Sequence, residues 1–212
     1  MTIKVRLEAI LKEIEGYNPK IIAVTKYYGK EKMIEAFNAG LRNFAESRAL
    51  DALEKINNID DTTRTQSIYH FIGHLQTNKI KHVVGNFEYI HSVDSLKVAQ
   101  HIDLEANKKG IKQKILIQVN NANEIQKFGV PKAQLENLIE EVKNLNSIEL
   151  VGLMNIAPLT DDLNELQRLF SEMRCLKDEY NLQELSMGMS NDYKIALDCG
   201  ATMIRLGRIL FK

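Results

Sequence analysis

Eight short, strand-like apolar runs, separated by stretches with helical periodicity, leave few folds open to this chain. The runs are Ile21–Val24, Leu41–Ala45, Tyr69–Ile72, Tyr89–Val93, Lys114–Val119, Glu149–Met154, Leu185–Met187 and Thr202–Leu206. The first is unbroken and β-branched, the pattern of a strand buried on both faces in a parallel sheet. Helical patterns cover 31–39, 48–56, 78–84, 95–107, a segment opened by Pro131, 161–180 and 191–199. Asp94 is a predicted N-cap and Gly200 a predicted helix-ending residue. Alternating strands and helices imply a parallel sheet. Eight such units in 212 residues predict an α/β fold, a (β/α)8 TIM-type barrel forming a single domain over 1–212. Only Gly207–Lys212 follows the last run. The amphipathic N-terminal stretch, with Ile3, Leu7, Ile10, Leu11 and Ile14, is therefore expected to form a helix that takes the missing eighth helix's place beside the first strand. The competing architecture, an open doubly wound sheet, wants a Gly-rich turn after the first strand. Here that turn holds Lys26, Tyr27 and Tyr28.

Charge and composition remove several function classes. Lys plus Arg and Asp plus Glu both number 28, so the net charge is zero and no basic footprint for nucleic acid or an anionic membrane exists. No apolar run approaches membrane-spanning length, and the first 16 residues are too charged for a signal peptide. The two cysteines, Cys175 and Cys199, have no metal or redox spacing and point to a reducing compartment. The expectation is a cytoplasmic protein, monomeric because no exposed helical stripe demands a partner.

Two places carry chemistry. Lys26 ends the first strand, on the face where βα loops bind ligands. Partial burial there would disfavour an ammonium and favour an amine able to attack an aldehyde; the plain alternative is a strand-end lysine snorkelling to water. The second place is near the C-terminus. Ser186-Met187-Gly188-Met189-Ser190-Asn191-Asp192 joins a strand to a helix, and Arg205-Leu206-Gly207-Arg208 follows the next strand. Ser190 and the free N–H groups at these turns suit an anion, and barrels commonly hold phosphate after strands seven and eight. Closure brings strand eight beside strand one, at a spacing of ~4.8 Å per strand. An amine beside a phosphate cup predicts a ligand with both an aldehyde and a phosphate: pyridoxal 5′-phosphate, or the sugar phosphate of a Schiff-base aldolase.

At these residues the chain resembles the pyridoxal phosphate homeostasis protein family, relatives of the alanine racemase barrel domain. The resemblance rests on Ala23–Lys26, Phe71–Lys79, Ile90–Leu96, Gly152–Pro158, Leu185–Asp192 and Arg205–Gly207, in the family's order. It implies a barrel that holds the cofactor as a Schiff base on Lys26. It further implies that Ser190, Gly207 and the Arg208 backbone hold the phosphate and that Arg205 faces the pyridine nitrogen. Met187 is counted among the cofactor-binding residues. The implied role is vitamin B6 and amino-acid homeostasis, as a carrier or buffer rather than an enzyme, with the amines it meets as further partners.

The chain departs from the family after strand two, where Phe44-Ala45-Glu46-Ser47 replaces a Phe-Gly-Glu-Asn pattern. It departs again at Arg208, where a hydroxyl residue is usual. The alternative activity is amino-acid racemisation, which needs acid/base groups on both faces of a substrate. Related racemases bring the second from another domain, for which these 212 residues offer no counterpart. His70 and His74 do not share a metal-binding geometry on a strand. His74, Lys127, Tyr27 and Tyr28 are candidates for contact with the ligand.

Overall fold

The computed structural model describes residues 1–122, 124 and 126–212. Asn123 and Ile125 of the polar loop 120–129 lie outside the described residues. Eight parallel strands close into a barrel: β1 (Lys20–Val24), β2 (Asn43–Glu46), β3 (Ile68–Phe71), β4 (Tyr89–Val93), β5 (Gln113–Asn120), β6 (Ile148–Met154), β7 (Glu184–Met189) and β8 (Met203–Leu206). Each pairs with its neighbour in sequence; β8 pairs with β1 through Ile22 and Arg205, and β4 with β5 through Ile90 and Ile115. A two-residue strand, Val130–Pro131, adds to the end of β5.

Helices clothe the barrel: α1 (Ile3–Glu13), α2 (Lys30–Asn38), α3 (Ala49–Asn57), α4 (Asp61–Gln66), α5 (Ile80–Val83), α6 (Leu96–Lys108), α7 (Leu135–Lys143), α8 (Leu163–Glu179), α9 (Tyr193–Asp198) and α10 (Arg208–Phe211). Ser95, not Asp94, caps α6, its hydroxyl accepting from Val98 N–H. Pro131 stands before a 3-10 turn, and α7 begins only at Leu135. Gly200 follows α9 with φ +88°, as expected of a helix-ending residue. Helix α4 has almost no apolar side to read, and its start is fixed by the Asp60 carboxylate accepting from Thr63 N–H.

The barrel's last unit is short, as the sequence implies, but the helix there is a single turn rather than absent. Helix α1 touches both α2 and α10 and buries Ile3, Leu7 and Ile10, whereas Leu11 is exposed. Glu13 at its end accepts from Tyr193 and Lys194 of α9. Most buried apolar residues lie between strands and helices. A second, smaller cluster of Ile22, Ala45, Leu116, Val151, Met154 and Met203 fills the barrel itself. Among the described residues no helix is long and apolar enough to cross a membrane.

Candidate functional site

A cavity of about 610 Å3 opens at the C-terminal ends of the strands, within the size range usual for small-molecule sites. Its polar wall is made by Lys26, Ser190, Asp192, Arg205, Gly207 and Arg208; its apolar wall includes Ile72, Met154, Ile156, Pro158, Leu159 and Leu163. Five of the six residues expected to bind the cofactor therefore meet on one wall. Met187 does not. It is wholly buried in the outer core. The strand pairing shifts between Ser186 and Met189, where Gly188 adopts φ +86°. This bulge turns Met189 into the cavity where simple alternation would have kept it out.

Lys26 follows Thr25 in a turn, and its own side chain is exposed, not partly buried as the strand pattern suggests. Its ammonium lies 5.1 Å from the centre of the exposed Tyr27 ring. The residue before it is held firmly. Thr25 N–H donates to Ala45 O at 3.1 Å, and its hydroxyl donates to the Glu46 carboxylate at 2.6 Å. Lys55 Nζ donates both to Thr25 O (2.9 Å) and to the same carboxylate oxygen (2.7 Å). Glu46 and Lys55 thus fix the backbone that carries Lys26 without touching the cavity. Neither was singled out from sequence, because the pairing needs the end of β2 and the last turn of α3 to meet at the end of β1.

Ser190 does not cap α9. Its Oγ accepts instead from Gly207 N–H and Ile209 N–H, both at 3.4 Å. Backbone donors at the start of α10 therefore converge on a hydroxyl in the cavity wall, an arrangement that an anionic oxygen would also satisfy. Asp192 accepts from Met189 N–H at 2.5 Å and holds the bulge in shape. Burial pushes its carboxyl above the usual range, with that N–H and Arg205 opposing.

Arg205 is almost wholly buried rather than a surface residue. Its Nη1 donates to Ser186 O and Ser186 Oγ, each at 2.7 Å, and its Nη2 to Asn155 O at 2.7 Å. Burial lowers its pKa to about 10, opposed by Asp192, so it stays a cation at neutral pH.

The remaining candidates fall mostly outside. Tyr27 and Tyr28 line the cavity, and Tyr28 packs on Phe211 with ring centres 4.6 Å apart. Ser47 and Ala45 do not line it; Ala45 lies in the barrel's apolar cluster. Lys127 donates to Ala157 O at 3.1 Å and pairs with Glu124, so it ties the loop after β5 to the loop after β6. His74 stacks on Phe128 at 3.8 Å. His70 is buried in the barrel, and no metal-binding cluster including it occurs among the described residues.

Residues 2–212 match the family described as alanine racemase, N-terminal domain. The pyridoxal phosphate homeostasis protein of Synechocystis sp. is 40% identical over 199 residues, 91% of this chain and 90% of that protein. Its namesake from Aquifex aeolicus is 37% identical over 198 residues, 91% and 86% of the two chains. The structure of PipY from Synechococcus elongatus with PLP bound superposes with a TM-score of 0.91 at 34% identity over 100% of both chains. An alanine racemase from Clostridium difficile shares the fold at a TM-score of 0.80 and 18% identity, and this chain covers 56% of it. With a family match across the whole barrel and relatives of this similarity, the chain belongs to the pyridoxal phosphate homeostasis protein family.

Proposed function

We propose that this protein holds pyridoxal 5′-phosphate as a Schiff base on Lys26 and serves vitamin B6 and amino-acid homeostasis as a carrier or buffer. The observation that carries this reading is the single wall shared by Lys26, Arg205 and the Ser190–Gly207–Arg208 cup. The donors suit the group. The Ser190 hydroxyl and the N–H groups of Gly207, Arg208 and Ile209 would take the phosphate, and the Arg208 side chain stands exposed at the same edge. A buried cationic Arg205 would donate to the ring nitrogen and leave it unprotonated, which weakens the cofactor as an electron sink.

The cofactor supplies an aldehyde for reversible exchange between amines. The chain's part is to anchor, orient and release it. Lys26 sits exposed at the mouth on a backbone clamped by Lys55 and Glu46, where an incoming amine can reach the carbon it holds. The names of the relatives and the bound PLP of PipY support this assignment. The same reading takes the protein as a monomer in a reducing cytoplasm, where its two free thiols, Cys175 and Cys199, would stay reduced.

The test is absorbance of the purified protein with added pyridoxal phosphate, before and after borohydride. A yellow band trapped as a stable adduct on Lys26, and absent from Lys26→Ala, is expected. A wild-type protein that takes up no cofactor would sink the reading. Interconversion of D- and L-alanine by the loaded protein, lost in Lys26→Ala, would replace the carrier with a racemase.

A further inference from the structure

Five polar residues from five strands form one hydrogen-bonded chain across the barrel interior, and the reading above uses only the last of them. Asn43 opens β2; His70, His91, Ser186 and Arg205 lie on β3, β4, β7 and β8. His70, His91 and Ser186 have no exposed surface. Arg205 Nη1 is 2.7 Å from Ser186 Oγ, which is 3.0 Å from His91 Nδ1. His91 Nε2 is 2.9 Å from His70 Nδ1, and His70 Nε2 is 3.1 Å from Asn43 Oδ1.

Donor capacity fixes the direction of this chain. A guanidinium only donates, so Ser186 Oγ accepts from Arg205 and its one proton is free for His91 Nδ1. His91 then carries its proton on Nε2, aimed at His70 Nδ1. His70 in turn carries its proton on Nε2 and donates to Asn43 Oδ1, which only accepts. Reversing the two rings would set His70 Nε2 and Asn43 Oδ1 as facing acceptors. With the Asn43 amide oxygen facing His70, two neutral rings with the proton on Nε2 satisfy every bond of the chain.

We infer that Ser186, His91 and His70 are positioning residues for Arg205. The chain presents an oxygen lone pair to Nη1, and the Ser186 and Asn155 carbonyls take two further protons. The guanidinium is held in one orientation, with Nε–H and one Nη2–H left for a ligand. This inference rests on the proposed cofactor site and deepens it. A donor that cannot turn away keeps the ring nitrogen an acceptor, which weakens the cofactor as an electron sink.

Proton–nitrogen correlation spectra of the isotope-labelled full chain read the ring protons directly, with His70→Asn and His91→Asn assigning the signals. Two neutral rings protonated on Nε2 are expected; a proton on Nδ1 of either ring overturns the inference. Ser186→Ala is then titrated with pyridoxal phosphate. Binding roughly tenfold weaker than wild type, with a displaced absorbance band and the borohydride adduct still on Lys26, supports the positioning role. Affinity and band equal to wild type overturn that role while leaving the cofactor assignment standing; wild-type protein that binds no cofactor overturns both. Should Ser186→Ala fail to fold, the wild-type ring protons decide alone.

Discussion

Lys55 and Glu46 show how a residue outside the cavity can govern one inside it. Their side chains are 13% and 4% exposed, and they share Thr25 as a common partner. Removing one member of a buried pair strands the other, at a cost of about 3–5 kcal/mol, whereas removing both charges costs far less. Lys55→Met is accordingly expected to destabilise the fold by about 3 kcal/mol, and Lys55→Met with Glu46→Gln by less than half of that, since the amide still accepts from Thr25. Urea midpoints measure both; equal losses in the single and double variants would mean that the cost does not come from a stranded Glu46 carboxylate. At this scale the sequence was informative where chemistry is local. Lys26, Ser190, Arg205, Gly207 and Arg208 announce themselves by residue type at strand ends, and they do line one cavity. Glu46, Lys55 and Asp192 work through residues distant in sequence or through a backbone irregularity, and neither is visible before the chain is folded.

Among the elements, the end of β7 carries the most consequence. Gly188 makes the bulge that puts Met189 and Ser190 on the cavity wall, and a Cβ there would stand 2.6 Å from Ala196 Cβ and 3.0 Å from Tyr193 Cα. Positive φ and overlap with α9 act together. Gly188→Ala is expected to cost about 2–4 kcal/mol and to weaken cofactor uptake at the same time, because the backbone it displaces carries Ser190. Thermal unfolding and cofactor titration of the same sample would check this; a stable variant with unchanged uptake would show that the bulge is dispensable. The alternation of runs made the eight strands legible, since a strand buried on both faces needs a continuous apolar stretch. The bulge was not legible, because the apolar run ends at Met187 and the glycine after it reads as part of the turn into the helix, whereas β7 continues to Met189. Helix α4 was missed for the opposite reason: its stability comes from a cap and its neighbours, not from an apolar stripe.

Across the whole molecule, the polar chain inside the barrel sets how the fold responds to acid. Burial pushes His70 down to about 3, with Lys20 adding to the shift, and holds His91 well below the ordinary value, with His70 and Arg205 adding to it. An unfolded histidine titrates near ~6.5. Below that pH the unfolded chain takes up protons that the folded barrel refuses, so the unfolded state binds more and stability rises with pH. The contribution is complete above ~6.5 and is lost as pH falls towards the folded values. Two such rings remove about 2 kcal/mol between pH 6 and 5, before paired carboxylates such as Glu172 and Asp178, both lowered, begin to matter. Asp192 works in the other direction, because its raised carboxyl takes a proton more readily in the folded state. Urea unfolding of the full chain across this window is expected to show the uptake of nearly two protons on unfolding. His91→Asn should remove about one of them, whatever it does to stability at pH 7. A slope unchanged by that substitution would mean that His91 takes up its proton in the folded barrel as readily as in the unfolded chain, and its Nδ1 could not then accept from Ser186 in this window.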